Sequence, residues 1–480
     1  MRFSVEIINI SNGGFAPAWY KETYPSYGNK NQAGTMTDCD LTNPGYLQQG
    51  PGLATLTAGT EAGAVTTLIK GMTDYAVATD TAYGVGGAAL YQFSSTAAVN
   101  AGIWPHAIDK ATVTAELGED VALYQGNIYY TYNHSGSAGD IGIYDQTTTF
   151  NDDWGSTTPS GFAALETGPH QICVATNDVM YISNGRYICS YDGTTLIPQV
   201  LDLPVGTVIQ SIKWNSDRLW IAANTTSLTG SNKNTASIYV WDGTTNSWEA
   251  EIKLMGLCGG LHLKNGVLFT FYQDISSTGG YKLGYVSGTS IVDVANYTGS
   301  LPAFYQITDF KDYITWISSG KVFAFGGGDK DLPTKLFQLA DGGFTTVGGM
   351  VCPFGTPIIA STQSTSFKLA KFSGYGVSTQ WKSLMFDITS SWKISQIDRV
   401  RINFEKLTTN ARVDWKLLNN KGETIYNDII SFTKLGAATT ALYNLNGKVN
   451  ENFRIEFDYA NGNTAATVQI KNAKIYGDTN

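Results

Sequence analysis

Charge, histidine, paired cysteine and long apolar runs are all scarce in this chain. Only 15% of its 480 residues are charged, against about 25% in an ordinary domain. The balance is acidic, net −9 with a sequence pI near 5.0, so no whole-chain basic field exists to hold nucleic acid, and no direct nucleic-acid binding is expected. The five cysteines, Cys39, Cys173, Cys189, Cys258 and Cys352, stand singly without a CxxC pair. That pattern excludes a zinc ribbon and a disulfide framework, and it fits reduced core residues. No run of 18 apolar residues occurs, and the opening MRFSVEIINISNGG has no apolar stretch of signal-peptide length. The expectation is a chain made in the cytoplasm that does not cross a membrane.

Chemical motifs are equally sparse. The four histidines, His106, His134, His170 and His262, lie far apart, and no G-x-S-x-G elbow is present. The acidic pair in NDDW, Asp152 and Asp153, lacks the spacing of a calcium loop, and FGGGDKD at 325–331 lacks the G-K-[ST] ending of a phosphate loop. No catalytic residue, cofactor or metal ligand is therefore expected, and the chain reads as not an enzyme.

What is abundant points to strands and tight turns. Glycine numbers 52, tyrosine 27 and tryptophan 11, with many Thr, Ser and Asn. Residues 61–375 repeat coarsely every 40 to 50 residues, roughly the period of propeller blades. The clearest unit is VIQSIKWNSDRLWIAA followed by ASIYVWDGTTNSWEAEI. A small four-stranded sheet has two apolar faces and cannot hide both alone; stacking such sheets around an axis hides them all. The length suits six or seven blades, with seven preferred, and GYLQQGPGLATLT is the candidate strand that closes the last one. Residues 376–480 change character: Val400, Ile402 and Phe404 alternate with Arg399, Arg401 and Asn403, the pattern of a half-buried strand, and the region reads as one β-sandwich. The two arginines on the polar face are either an ordinary solvated face or a partner contact.

The stretch YDGTT at Tyr191–Thr195 recurs as WDGTT at Trp241–Thr245 and, altered, as YDQTT at Tyr144–Thr148. Each copy follows an alternating aromatic strand and precedes another short strand. Asp192 and Gly193 thus fit a two-residue hairpin turn needing φ > 0, and serve geometry in preference to acid chemistry.

Residues 1–60 have little periodicity and could not fold alone, so they read as an extended arm whose anchors are Trp19, Tyr20, Tyr24, Tyr27 and Tyr46. With NPGYLQQGPGLATL in the arm, YDGTT-type hairpins in the propeller and RVRINFEKL opening the sandwich, the chain resembles β-propeller virion proteins of tailed bacteriophages, among them tail and head-to-tail connector components. The resemblance implies a virion structural subunit, localised to the virion, contacting other tail proteins in a symmetric homo-oligomeric ring. An alternative is a glycan- or receptor-binding propeller used in host attachment, with Trp104, Trp154, Trp248 and Tyr281 as loop-adjacent rings on which a sugar would stack.

Overall fold

The computed structural model describes residues 2–7, 33–55, 68–94, 116–157, 164–225, 235–274, 279–326, 335–387 and 395–479, apart from 43–45, 74–80 and breaks of one or two residues. It is almost entirely strand. Among these residues seven antiparallel sheets follow one another along the chain, six of four strands and the first of three. Their first strands are Gly71–Thr73, Glu116–Tyr124, Ile172–Val174, Thr207–Asn215, Cys258–Lys264, Ile307–Phe310 and Thr346–Val351. Each first strand packs against the next, and the seventh packs against the first, so the sheets close a ring. They are called blades 1 to 7 below. The closing sheet is completed from the far end of the chain: Pro51–Thr55 pairs with Ser366–Tyr375, Leu53 opposite Phe372.

The burial along each strand follows from its place in the ring. The second strands Met180–Asn184 and Tyr313–Ser318 are buried at every position, because both faces meet a neighbouring sheet. The outermost strand of blade 5, Ser290–Thr298, has no neighbour beyond it and is mostly exposed. Rings fill the gaps between blades: Trp241 lies edge-on to Tyr181 at 5.8 Å, and Trp316 of blade 6 lies edge-on to Tyr297 of blade 5 at 5.2 Å. Each such side chain taken from water contributes about 2 kcal/mol.

Polar side chains and backbone groups then lock blade to blade. Gly118 N donates to Gly87 O, and an Asp120 oxygen accepts from Ile172 N at 2.8 Å. Gln171 Oε1 accepts from Ile212 N at 2.7 Å and Ser211 Oγ accepts from Leu261 N at 3.0 Å. His262 Nε2 lies 2.9 Å from Asp309 Oδ1, Gln306 Nε2 donates to Val347 O, and Gly349 N donates to Ile69 O. Every junction of the ring carries one of these bonds. Left unmade, those between buried partners, such as Asp120 with Ile172 and Gln171 with Ile212, would strand a buried polar group, at a cost of about 1–3 kcal/mol.

The remaining strands form two sheets packed as a sandwich. One joins Arg2–Ile7, Ile470–Thr479, Ser395–Phe404 and Thr440–Asn450; the other is built on Arg412–Asn419 and Asn452–Asp458 and also takes Ala33–Thr37. Alternation governs both: Val400, Ile402 and Phe404 are fully buried, and Arg399 and Arg401 face solvent. The strands Arg2–Ile7 and Ala33–Thr37 therefore belong to the sandwich, and Pro51–Thr55 belongs to blade 7. One continuous core joins the two bodies, with Met36, Cys39 and Leu41 lying between Tyr313 and Leu339 of blade 6 and Trp381, Trp415 and Tyr459 of the sandwich. Hydrogen bonds reinforce it: Tyr313 Oη donates to Leu41 O, Lys311 Nζ to Thr42 Oγ1 at 2.7 Å, and Tyr375 N to Thr464 O. None of the five cysteines forms a disulfide; four are buried and Cys352 is half-buried.

Candidate functional site

The recurring aspartates lie at the blade tips. In blade 3, Tyr191 pairs with Leu196, so the loop between them is four residues, Asp192–Thr195. The two-residue hairpin expected from the sequence is corrected. The Asp192 carboxylate takes up the loop itself, accepting from Thr194 N at 2.8 Å, Thr195 N at 2.7 Å and Thr194 Oγ1 at 2.8 Å. Asp242 does the same with the N–H groups of Thr244 and Thr245, and Asp145 with those of Thr147 and Thr149. Gly193 (φ +91°) and Gly243 (φ +82°) supply the left-handed residue that follows, and Gln146 (φ +64°) takes that place in blade 2. The donated N–H groups hold the carboxyls below the usual range, Asp242 down to about 2, with Thr245 N the largest influence. These acids are turn locks that stay ionised.

Each first strand runs from the opposite end of the ring to the tips, and at that opposite end the blades leave a mouth around the axis. The cavity there is ≈ 360 Å³, lined by Lys70, Glu119, Asn133, Gln210, Phe304 and Tyr305 among others. Its residues come from the first strands of blades 1 to 6 or from the segments next to them, save Asn133 at the end of the second strand of blade 2. Lys70 Nζ lies 2.6 Å from Glu119 Oε1, and Asn133 Nδ2 donates to the same oxygen at 3.1 Å. The Asn133 amide is clamped in turn by Gly168, giving a bond to its O at 2.7 Å and taking one from its N at 3.1 Å. Behind it His170 is fully buried, with Nδ1 2.9 Å from Ser183 O and Nε2 3.1 Å from Asn133 Oδ1. Burial pulls its pKa down to about 4, so the ring is neutral near pH 7. Asp120, next to Glu119, is pushed up to about 7, by burial first, against the N–H groups of Ile172 and Val121 that favour the carboxylate. Tyr305 is raised as well, by burial and then by the charge of Glu119. The mouth thus offers one ion pair, an amide and a phenol to a small polar molecule.

A second cleft, ≈ 470 Å³, opens between blades 4 and 5 beside Leu254, Met255, Tyr272, Lys282 and Asp293. Met255 is 69% exposed at its edge. Among the described residues no group of three or more His, Cys, Asp or Glu side chains is placed to hold a metal ion, and no helix is long and apolar enough to cross a membrane.

The aromatic residues singled out from the sequence separate. Trp19, Tyr20, Tyr24, Tyr27 and Trp104 lie outside the described residues. Tyr46 donates to Glu405 Oε1 at 2.6 Å and lies under Lys471, anchored on its own sandwich. Trp154 and Tyr281 do not present their rings to solvent, which corrects their reading as stacking platforms. Trp154 is buried edge-on to Tyr129 and Tyr191, and Tyr281 is fully buried against Tyr297, its hydroxyl accepting from Trp316 Nε1. Trp248 is half-buried against Tyr239. The mouth residues carry no local motif, so sequence reading missed them. The one signal is that Glu119, Gln210 and Tyr305 recur at about twice the blade period of roughly 40–50 residues.

The chain matches no protein-family model and no curated protein. Solved structures do resemble it. A glucose dehydrogenase is 10% identical over 67% of this chain and 99% of its own, at a TM-score of 0.39. The extracellular domains 1–2 of Drosophila Semaphorin 1a are 9% identical over 67% and 88%, at 0.41. The soluble aldose sugar dehydrogenase of Escherichia coli is 12% identical over 67% and 99%, at 0.38. The shared feature is the all-β propeller fold, and at these identities the likeness extends to fold alone. The expectation that the chain is not an enzyme is corrected here: two of these three chains are named as dehydrogenases, so the expectation does not stand, and the likeness assigns this chain no activity of its own.

Proposed function

We propose that the chain is a structural subunit of a bacteriophage-type virion, placed in the tail or tail connector, which assembles with copies of itself and with other virion proteins. The observation that supports this reading is the continuous core between propeller and sandwich, built on Met36, Cys39, Leu41 and Leu47 of the N-terminal segment. Two domains on a loose linker present surfaces at variable angles; two domains sharing one core present them at a fixed angle, which a symmetric particle requires. The test is to purify the full chain, follow its mass by light scattering up to about 100 µM, where even a weak contact is populated, and ask which particle proteins co-purify with it. Rings or co-purification with tail proteins are expected. A monomer that captures no particle protein would overturn the reading.

A second reading, binding of a glycan or receptor, draws support from one feature, the axial mouth with the Gln210 amide and the Tyr305 phenol on one cavity. It predicts glycan-array signal lost in Gln210→Ala and Tyr305→Phe. An array with no signal for the wild type would remove it.

A further inference from the structure

The outer sheet of the sandwich carries a cationic face. On its strand Ser395–Phe404, Arg399 and Arg401 are exposed on consecutive outward positions, and Lys406 is exposed just beyond. Arg399 lies 5.1 Å over the ring of Tyr476, its register partner, and Arg401 donates to Asn403 Oδ1 at 3.1 Å. Opposite Arg401 on the other side stands Leu442, 54% exposed. Among the described residues none of these three cations takes part in an ion pair. The other sandwich sheet, through Ala33–Thr37, is the one that meets blade 6, so this face is turned away from the body it is joined to.

In a chain of net charge −9 the surplus acid must lie elsewhere. Five acids stand at the tips of blades 2 to 4, where Asp145, Asp178, Asp192, Asp217 and Asp242 occupy neighbouring turns. Gln125 of blade 2 donates to Asp178 Oδ2 of blade 3 at 3.1 Å and also approaches Gly193, so these turns form one surface. Arg218 among them is matched by Glu249 at 2.6 Å. The sandwich is joined to blades 6 and 7, across the ring from these tips.

We propose that the Arg399–Arg401 face of one copy docks on the acidic tips of blades 2 to 4 of the next copy. The proposal rests on the assembly reading above and names the contact by which copies join. Its argument is charge complementarity between two faces of the same chain, with Leu442 as an apolar contact inside the charged patch. Because the two faces differ, the contact is head-to-tail, and repetition closes a ring or extends a filament.

The test uses the full chain, with mass followed by sedimentation at low and at high salt. The wild type is expected to self-associate at low salt, with affinity falling tenfold or more at about 0.5 M, where exposed charges are screened within a few ångströms. R399E/R401E alone and D192K/D242K alone each lose association by tenfold or more while keeping wild-type circular dichroism; R399E/R401E also keeps wild-type melting, and D192K/D242K melts slightly lower because its turns lose the carboxylates that accept from their threonine N–H groups. Mixed one to one, the two regain it, since each reversed face then meets its complement. Wild-type association that both variants retain overturns this contact and leaves the assembly reading standing. A wild type that stays monomeric at low salt also overturns it, and the assembly reading falls only if no particle protein co-purifies either. Capture of a short DNA duplex that R399E/R401E loses, with self-association unchanged, would make the face a polyanion site and overturn the proposal.

Discussion

The two ends of the propeller use the same side chain in opposite ways. Asp120 near the mouth is buried and titrates at about 7; Asp242 at the tips is solvated and titrates at about 2. Both accept backbone N–H groups, which favour the carboxylate, so hydrogen bonding does not separate them. Burial does: at Asp120 desolvation outweighs the bonds, and at Asp242 the bonds outweigh desolvation. The mouth end is thus a place where polar groups hold blades together at a cost, and the tip end a place where they close turns in water. Substitutions at the two ends should differ in size and in pH dependence.

The largest effect is expected at Asn133. Truncation to alanine leaves the Gly168 N–H and carbonyl, at a half-buried glycine, without their partner and takes one donor from the buried Glu119. A loss of about 3 kcal/mol is expected from stranded buried groups, measured by urea denaturation. A loss like that of a surface residue would mean that the mouth network is solvated, and the contrast between the ends would fail.

Next comes Asp120→Asn, which keeps an oxygen for Ile172 N but cannot ionise. With a folded value of about 7 against an ordinary 3.8, the wild-type group contributes stability that is full below about 3.8 and is lost as pH rises through about 7. The variant removes that loss, so its advantage over the wild type should grow by at most about 1.4 kcal/mol per pH unit across this window. His170 acts in the other direction, its stability full above 6.5 and lost as pH falls toward about 4. For that reason the difference between variant and wild type is the quantity to measure. A difference constant from pH 4 to 8 would show that Asp120 is not desolvated.

The same division explains what was legible in the sequence. The alternation of Val400, Ile402 and Phe404 with Arg399 and Arg401 reads correctly because a strand's inside and outside are written within five residues. The tips were half legible: Asp-Gly-Thr announces a turn, but the bonds from Thr194 and Thr195 to Asp192 that lengthen it to four residues depend on side-chain geometry. Trp154 and Tyr281 misled because their neighbours in sequence look like loops, while what buries them, Tyr191 and Trp316, belongs to the adjacent blade. The mouth was illegible for the same reason, since Lys70, Glu119, Gln210 and Tyr305 converge only once the ring has closed. So it was with the N-terminal segment: the pairing of Arg2–Ile7 with residues 473–478 spans nearly the whole chain.

At the tips the effects shrink. Gly243→Ala forces a residue with a Cβ to hold φ +82° and brings that carbon to 2.8 Å from the Tyr181 hydroxyl. A loss of about 1 kcal/mol is expected. Gly266, also at positive φ, has open space around it, so Gly266→Ala should cost less. Equal costs at the two positions would show that backbone conformation alone matters and that the approach of blade 3 to the blade 4 tip does not.

The smallest effect is expected for Asp242→Ala, and its sign with pH is the informative part. The folded carboxyl titrates at about 2 against an ordinary 3.8, so its stabilisation is present above 3.8 and lost as pH falls through about 2. Thermal melts of variant and wild type should therefore differ slightly at pH 7 and converge near pH 2, the reverse of the Asp120→Asn series, where the curves meet at low pH and the variant rises above the wild type. The exposed loop keeps water for its N–H groups when the carboxylate is removed, which is why the difference at pH 7 stays small. Curves that remain apart at pH 2 would mean that the side chain supports the loop by packing, and the tip aspartates would then have to be grouped with the buried staples of the mouth.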